Sequence, residues 1–282
     1  MIKLENVVLA SPEQMEFIIQ GMRNPMNSWG RSDSTFIEEG EYYDILGNSG
    51  PAVGEENRSE LGPDDLSLMQ RLSNAGTEHR KYLRMMPVYV RITAPLYWWK
   101  EFDTYKVGTV ANSCSTMHKI AEKEFTLEDF SCEHLMDFEE KGKLRFSPLG
   151  TLQNTIDELN DCRDLYLKTK DKAYWWQLIQ LLPSSYNQTR NVMLNYEVLA
   201  NVYRQRKGHK LDEWREVCKW IESLPYKELI TGLPIGSDQS IVEKRLAEDD
   251  PMIFSVGKVV HDLIAKELDG DIKKQILEED SK

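Results

Sequence analysis

The sequence predicts an α+β domain in which an antiparallel sheet packs against long helices, and two observations lead to this class. Residues 88–93 alternate polar and apolar side chains and are rich in β-branched residues, which is typical of a half-buried strand. Residues 187–205 place Leu194, Val198 and Val202 on one side at helical spacing. We therefore expect a long helix over 187–205 that packs on a sheet containing residues 88–93.

We expect a single domain over residues 1–282, because single α+β domains of this size are common, although a length well over ~150 residues would also suit two domains. The chain is 40% hydrophobic and 29% charged, so it can bury a sizeable core. We expect a cytoplasmic protein without membrane contact, because there is no secretory signal pattern and no apolar run of the ~18 residues that a membrane helix needs. The four cysteines form no Cys-x-x-Cys pair and the five histidines lack ligand spacing, so no metal site is predicted.

The charge balance restricts the partners. A net charge of −12 argues against a nucleic-acid polymer, which needs a basic surface. An anionic small ligand is still compatible, because it needs only local positive charge.

In the N-terminal half we expect a strand over residues 4–9 and then a helix with Ser11 as N-cap and Pro12 in its first turn. The glycine-rich residues 38–62 are predicted to be a long loop, functional or mobile. Pro63 should begin the next helix.

In the C-terminal half, further helices are expected over 96–102, 152–182, 211–223 and 253–268. Pro183 ends the second of these. Residues 270–282 form an acidic tail that we expect to be partly disordered.

Two segments carry candidate chemistry. Residues 98–119 interleave aromatic, basic and hydroxyl side chains, which suits a ringed, phosphorylated ligand but also an ordinary polar surface. Cys114 within it could be a nucleophile, although a lone cysteine is more often a small packing residue.

The second segment is residues 195–209. Asn201 lies on the apolar stripe, where a buried amide needs either a ligand or a backbone partner, and both remain open. Cations cluster at the end of the same helix, which suits the helix dipole even without a ligand. They are Arg204, Arg206, Lys207, His209 and Lys210.

At these two segments the chain resembles the flavin-dependent thymidylate synthases, the thymidylate synthase-complementing family. That family has a strand ending in Ala-Pro, a helix with Arg-Gln, an Arg-His-Arg motif and then Asn-Glu-x-Ser-x-Arg. The matching positions are Ala94-Pro95, Lys100-Glu101, Thr104-Tyr105-Lys106 and, with one inserted residue, Asn112 to His118.

The second block matches the family more closely in spacing. The family has Leu-Pro, then a helix with Asn-Ala-Arg, Leu, Asn and Leu-Arg, and then a His and a Trp. The corresponding positions are Leu182-Pro183, Asn195-Tyr196-Glu197, Leu199, Asn201, Gln205-Arg206, His209 and Trp214. The resemblance covers roughly residues 64–120 and 180–225.

Several family arginines are replaced, and a lysine lacks the planar fork of a guanidinium. The departures are Thr104, Lys106, Met117 and Glu197 for arginine, and Ser113 for glutamate. Residues that could compensate are Lys100, Lys106, His118, Lys119 and Arg190.

The resemblance implies a thymidylate synthase-complementing-like fold and the methylation of dUMP to dTMP. The cofactor would be FAD, with methylenetetrahydrofolate and NADPH as co-substrates, in a homotetramer that shares its flavin sites. Arg206 would be catalytic, activating the uracil ring. Cofactor contacts would be Thr104, Tyr105, Lys106, Asn112, Asn201 and His209, and substrate contacts Lys100, Glu101, Ser115 and Arg206.

Two alternatives remain open. One is a flavoenzyme of the same fold that acts on another pyrimidine nucleotide, as the lost arginines suggest. The other is a non-catalytic nucleotide-binding or scaffold protein that keeps only the fold.

Overall fold

The computed structural model describes residues 2–53, 56–137 and 147–232. The strands in chain order are β1 (Lys3–Leu9), β2 (Thr35–Glu38), β3 (Glu41–Tyr43), β4 (Ser49–Pro51), β5 (Arg58–Glu60), β6 (Pro87–Pro95), β7 (Val110–Ser113) and β8 (Asn187–Asn195). The α-helices are α1 (Pro12–Arg23), α2 (Pro63–Asn74), α3 (Lys81–Met85), α4 (Leu96–Phe102), α5 (Thr116–Lys119), α6 (Pro148–Thr169), α7 (Lys172–Leu181), α8 (Tyr196–Arg206), α9 (Asp212–Glu222) and α10 (Glu228–Thr231).

The main sheet is antiparallel, with strand order β1-β6-β8-β7. β6 and β8 pair along their whole lengths, from Pro87 opposite Asn195 to Pro95 opposite Asn187. One face of these two strands is buried in the core. This arrangement confirms the predicted α+β class and the strand over residues 88–93.

Helices cover the buried face of the sheet, and α8 packs against α3, α9 and α10. Trp98, Trp99 and Trp214 are fully buried in the same core. Each indole removes a large apolar area from water, so these side chains contribute strongly to the stability of this region. The core therefore lies directly behind the ends of α4 and α8.

The predicted helix over residues 187–205 is wrong in its first half. Residues 187–195 form strand β8, and the helix begins only at Tyr196. Asn187, Thr189 and Asn191 are poor helix formers. Pairing with β6, and with β7 from Arg190 to Met193, satisfies the backbone groups of this segment instead. Leu194, which the sequence pattern places in a helical stripe, is buried in the core as a strand residue.

The predicted loop over residues 38–62 is also wrong, because this segment contributes to a second antiparallel sheet of order β4-β3-β2-β5. Glu39 and Gly40 both have positive φ, at 50° and 80°, which is the geometry of a tight two-residue hairpin turn. In this segment glycine marks a turn between short strands. A glycine-rich composition alone does not distinguish such turns from a long loop.

The predicted helix over 152–182 is divided into α6 and α7. Lys170 adopts a left-handed conformation at the end of α6, and Asp171 then caps α7 by accepting from the Ala173 amide. These helices pack on a second apolar cluster that includes Leu159 and Leu178.

The other expected elements are confirmed as β1, α1, α2, α4 and α9, within one or two residues at their ends. Ser11 forms a capping box at the start of α1. The predicted helix over 253–268 and the tail over 270–282 lie outside the described residues, and the single domain stays a prediction. No helix in the described ranges has the length and apolar character of a membrane span.

Candidate active site at the end of helix α8

The positions of α4 and α8 follow from the two central strands. α4 begins where β6 ends, and α8 begins where β8 ends, with the Asn195 side chain accepting from the Val198 amide at 3.0 Å. Because β6 and β8 are antiparallel, the two helices leave opposite ends of the sheet. α8 then runs back across the core, and its last residue, Arg206, contacts Glu101 in α4.

Glu101 is the centre of this contact. Its Oε2 accepts a hydrogen bond from Trp214 Nε1 at 2.8 Å and lies 3.0 Å from Arg206 Nη1. His209 Nε2 lies 3.5 Å from the same oxygen. The Glu101 side chain is 34% exposed, so the carboxylate is partly solvated and also paired. We call Glu101, Tyr105, Arg206, His209 and Trp214 the α8-end cluster.

Arg206 is held in a fixed plane. Its Nε donates to the Tyr105 hydroxyl at 3.0 Å, and that hydroxyl donates to Gln205 Oε1 at 2.9 Å. The guanidinium centre lies 4.8 Å from the Trp214 ring centroid and 5.7 Å from that of Tyr105. Its side chain is 18% exposed, and Nη2 donates no hydrogen bond to the part of the chain that the structure describes. The arginine is therefore oriented but keeps hydrogen-bond donors for a ligand.

His209 has a defined tautomer when neutral. Its Nδ1 accepts a hydrogen bond from the Leu211 amide at 3.2 Å, so the proton lies on Nε2, which faces Glu101. Both ring nitrogens are thus engaged within the protein.

A further contact fixes α9 against α4. The Tyr97 hydroxyl donates to the buried Glu213 carboxylate. Burial, and then the hydrogen bond to Glu213, raises the pKa of Tyr97. The neutral phenol therefore persists at physiological pH. Because Tyr97 fixes Glu213, the next residue, Trp214, is held with its Nε1 towards Glu101.

A second carboxylate lies on a different side of α8. Glu197 accepts from Arg80 Nε at 3.2 Å and is also bonded by Arg84 Nε. The hydrogen bond to Glu197 raises the pKa of Arg84. Where the resembled family has an arginine, this chain has a glutamate, and it pairs with Arg80, which precedes α3, and with Arg84 in α3.

Four of the predicted site residues meet in the α8-end cluster: Glu101, Tyr105, Arg206 and His209. Asn201 lies one turn back on α8, half-buried, and its Oδ1 accepts from Arg204 Nη2 at 2.6 Å. The open question about Asn201 is thus answered by a side-chain partner, while its amide nitrogen makes no hydrogen bond within the described ranges.

The remaining predicted residues are outside this cluster. Lys100 and Lys106 are exposed, and Thr104 Oγ1 donates to the Glu101 backbone oxygen at 2.7 Å. Asn112 lies in β7 opposite Asn191. The Ser115 hydroxyl accepts from the His118 amide at 3.2 Å, so it caps α5.

Among the proposed substitutes for the lost arginines, Arg190 is engaged elsewhere. It pairs with Asp103 at 2.7 Å and lies 4.1 Å above the Trp99 ring. Sequence reasoning missed Arg80 and Arg84, although their spacing of four residues and the reversed charge at Glu197 are signals of compensation.

In the described ranges, no group of three or more His, Cys, Asp or Glu side chains could hold a metal ion. The α8-end cluster mixes one carboxylate with cationic and aromatic groups, and this donor set suits a planar, polar ligand better than a metal.

No family model matches the sequence, and no curated protein does. Two structures of the flavin-dependent thymidylate synthase ThyX from Helicobacter pylori, complexed with FAD and dUMP, superpose with TM-scores of 0.54 and 0.55 at 15% identity, over 82% of this chain and 98% of theirs. The UMP/dUMP methylase PolB from Streptomyces cacaoi, bound with 5-Br UMP, gives a TM-score of 0.50 at 12% identity, over 82% and 94%. The likeness confirms the predicted thymidylate synthase-complementing-like fold.

Proposed function

We propose that this chain is a flavoenzyme that methylates the uracil ring of a pyrimidine nucleotide, with dUMP to dTMP as the expected reaction. FAD would be the cofactor, with methylenetetrahydrofolate and NADPH as co-substrates. The observation that supports this function is the geometry of Arg206, an oriented guanidinium with unused donors at a helix end, in a fold shared with enzymes of this kind.

Arg206 is suited to stabilise charge on a uracil ring. Methylation at carbon 5 is favoured when negative charge can build on the ring's carbonyl oxygen and N3, and a fixed donor facing them lowers that barrier. The contacts from Glu101, Tyr105 and Trp214 orient the guanidinium before the substrate arrives. When bound, the flavin supplies the reducing equivalents, and the protein supplies binding and orientation.

The chain's residues fit a flavin in part. The amide nitrogen of Asn201 is available, and the Tyr105 ring lies beside Arg206. His209 and Ser115 are engaged within the protein, so their predicted roles require that they exchange partners on binding. Thr104 and Asn112 are exposed, which leaves this side of the site open in one chain.

The openness supports the expected homotetramer. On the exposed face of the main sheet, Val8, Tyr89 and Val110 are exposed apolar side chains around a hollow of about 340 Å³. A second copy that covers this face would bury apolar area and extend the site. Light scattering at micromolar concentration tests this, and a strict monomer would contradict the tetramer.

The choice of nucleotide is a separate question. Exposed Lys106 and the apolar Met117 stand at family arginine positions, which favours a phosphate grip different from that of the family. The alternative substrate is another pyrimidine nucleotide such as UMP. The two are distinguished by incubating the reduced enzyme and methylenetetrahydrofolate with each nucleotide and identifying the methylated product by mass.

The central experiment compares the wild type with Arg206→Lys and the control Arg31→Lys, which changes an exposed arginine away from the main sheet. We expect flavin absorption in the purified wild type and an approximately 100-fold lower turnover for Arg206→Lys, with flavin content unchanged. Full activity in Arg206→Lys would contradict the role of Arg206. A wild type that neither binds flavin nor turns over would favour the scaffold alternative.

A further inference from the structure

Two hydrogen bonds join helices α4 and α9 and run in opposite directions. The Tyr97 hydroxyl in α4 donates to the Glu213 carboxylate in α9. Trp214 Nε1 in α9 donates to Glu101 Oε2 in α4 at 2.8 Å. Tyr97 and Glu101 are four residues apart and therefore lie on one face of α4, and Glu213 and Trp214 are adjacent in α9. Each helix thus supplies one donor and one acceptor, and we call these four residues the α4–α9 contact.

The α4–α9 contact is directional. Glu213 is buried, and burying a carboxylate is costly even when it is hydrogen-bonded, so an apolar pair of similar size would often be as stable. Stability alone therefore does not account for Glu213. A hydrogen bond, unlike apolar packing, weakens steeply when its angle changes. Two such bonds between the same two helices restrict the rotation of α9 about its axis, which one bond alone would not do.

The orientation of α9 affects Arg206 directly. The guanidinium centre lies 4.8 Å from the Trp214 ring centroid, and Nη1 lies 3.0 Å from Glu101 Oε2. The guanidinium thus contacts one side chain from α9 and one from α4. A rotation of α9 would move the indole relative to the carboxylate, and it would change the direction in which the unused donors of Arg206 point.

A second tyrosine–carboxylate bond on α9 serves as a comparison. The Tyr203 hydroxyl in α8 donates to Glu222 Oε1 at 2.6 Å. Burial, and then the hydrogen bond to the carboxylate, raises the pKa of Tyr203 as it does that of Tyr97. Glu222 is the last residue of α9, whereas Glu213 is next to Trp214. The two bonds therefore have the same chemistry, but only that of Tyr97 ends beside the α8-end cluster.

We propose that Tyr97 and Glu213 are positioning residues for the methylation, because they fix Trp214 against Glu101 and thereby hold Arg206 in its working orientation. Neither residue belongs to the α8-end cluster, so both act through Trp214 and not on the substrate. The inference rests on the proposed function for its effect on turnover. The orientation of Trp214 itself can be measured without flavin or substrate.

The first test is the NMR signal of the Trp214 indole N–H in the full chain, assigned by Trp214→Phe and a second time by Glu101→Gln, which changes its acceptor. Tyr97→Phe keeps the ring and removes the hydroxyl. We expect the signal to shift and its hydrogen exchange to become about tenfold faster, because the bond to Glu101 opens more often. The Trp99 indole, which donates to the Gln188 backbone oxygen at 3.0 Å, is the internal reference and should not change.

The second test is turnover, with Tyr203→Phe as the matched control. In Tyr97→Phe we expect kcat to fall about tenfold with the KM for the nucleotide nearly unchanged, because the binding groups remain and only the orientation of Arg206 is lost. Tyr203→Phe removes the same kind of bond and should lower the thermal midpoint to a similar degree, but it should leave the Trp214 signal and kcat unchanged. Glu213→Gln keeps an acceptor for Tyr97 and should retain most of the kcat.

Three outcomes overturn the inference. An unchanged Trp214 signal in Tyr97→Phe means that core packing alone holds the indole. Equal losses of kcat in Tyr97→Phe and Tyr203→Phe mean that the loss reflects stability and not position. A shifted signal with unchanged kcat means that Arg206 does not depend on α9. A wild type without turnover contradicts the proposed function instead, and the NMR comparison then still decides whether Tyr97 and Glu213 fix Trp214.

Discussion

Helix α8 carries two carboxylate–guanidinium contacts that use the same chemistry differently. Glu101 contacts one arginine, one indole and one imidazole, and its side chain is 34% exposed. Glu197 receives Arg80 and Arg84 and is only 10% exposed. The first contact orients a cation that still has donors available. The second contact anchors α3 to α8.

The largest expected effect comes from breaking the more buried contact, that of Glu197 with Arg80 and Arg84. Glu197→Ala leaves two guanidinium groups without their counter-charge in a mostly buried position, and we expect a loss of about 3 kcal/mol of unfolding free energy. The 46% exposure of Arg84 keeps the loss from being larger. Urea unfolding measures it as a shift in midpoint at constant slope.

The matched control is Glu122→Ala, which removes the partner of Lys119 in a well-exposed pair. Such pairs contribute about 0–1 kcal/mol, so its midpoint should hardly move. Equal shifts in the two variants would show that Glu197 is not an anchor.

The fold was predictable where the signal is local. β6, α4 and α9 each show a regular apolar period with a boundary residue, and each was located within two residues. β8 was not, because what makes residues 187–195 a strand is pairing with β6 and β7, which are distant in sequence. A stripe counted from Leu194 continued across the strand–helix junction and therefore extended the helix too far.

The candidate site shows the same difference between local signals and long-range contacts. The resemblance selected Glu101, Tyr105, Arg206 and His209, which the structure brings together. It assigned Glu101 to the substrate, whereas the carboxylate faces Arg206 and Trp214. The contact between Arg80 and Glu197 spans 117 residues, and a single sequence contains no periodic signal for such a pair.

A second prediction concerns the more exposed contact, that of Glu101 with Arg206. Glu101→Gln keeps an acceptor for Trp214 Nε1 but removes the charge opposite Arg206, and we expect a loss of about 1 kcal/mol. Turnover should fall through kcat, because Arg206 is no longer held in one orientation. Asp103→Asn is the control, since it removes the charge opposite Arg190 outside the cluster. A larger loss of stability in Glu101→Gln than in Glu197→Ala would reverse the comparison between the two contacts.

A third, smaller effect isolates one hydrogen bond. Tyr105→Phe keeps the ring beside Arg206 but removes the oxygen that accepts from Nε, which should cost about 0.5–1 kcal/mol. Tyr42→Phe is the control, because Tyr42 is an exposed tyrosine in β3, and this variant should be neutral. If stability and kcat of Tyr105→Phe equal those of the wild type, the hydroxyl does not orient the arginine.

The smallest expected effect concerns Cys218, which is buried in α9 where this helix packs against α8. Burial, and then Glu222, raises the pKa of Cys218 to about 11, while Lys207 acts in the opposite direction. At about pH 8 only about one part in a thousand is thiolate, and reactivity should rise as the pH approaches that value. Exposed Cys114 should react first with an aromatic disulfide reagent. Rapid labelling of Cys218 in the folded protein would mean that the packing between α8 and α9 does not shield this thiol.

The direct passage from β8 into α8 couples two kinds of geometry. No linker separates Asn195, the last residue of the strand, from Tyr196, the first of the helix, so the pairing register of β8 fixes the rotational phase of α8. A single inserted residue after Asn195 would turn the rest of the helix by about 100° and carry Arg206 away from Glu101. A length change here thus acts as a rotation of the site, and natural variation in chain length should avoid this junction.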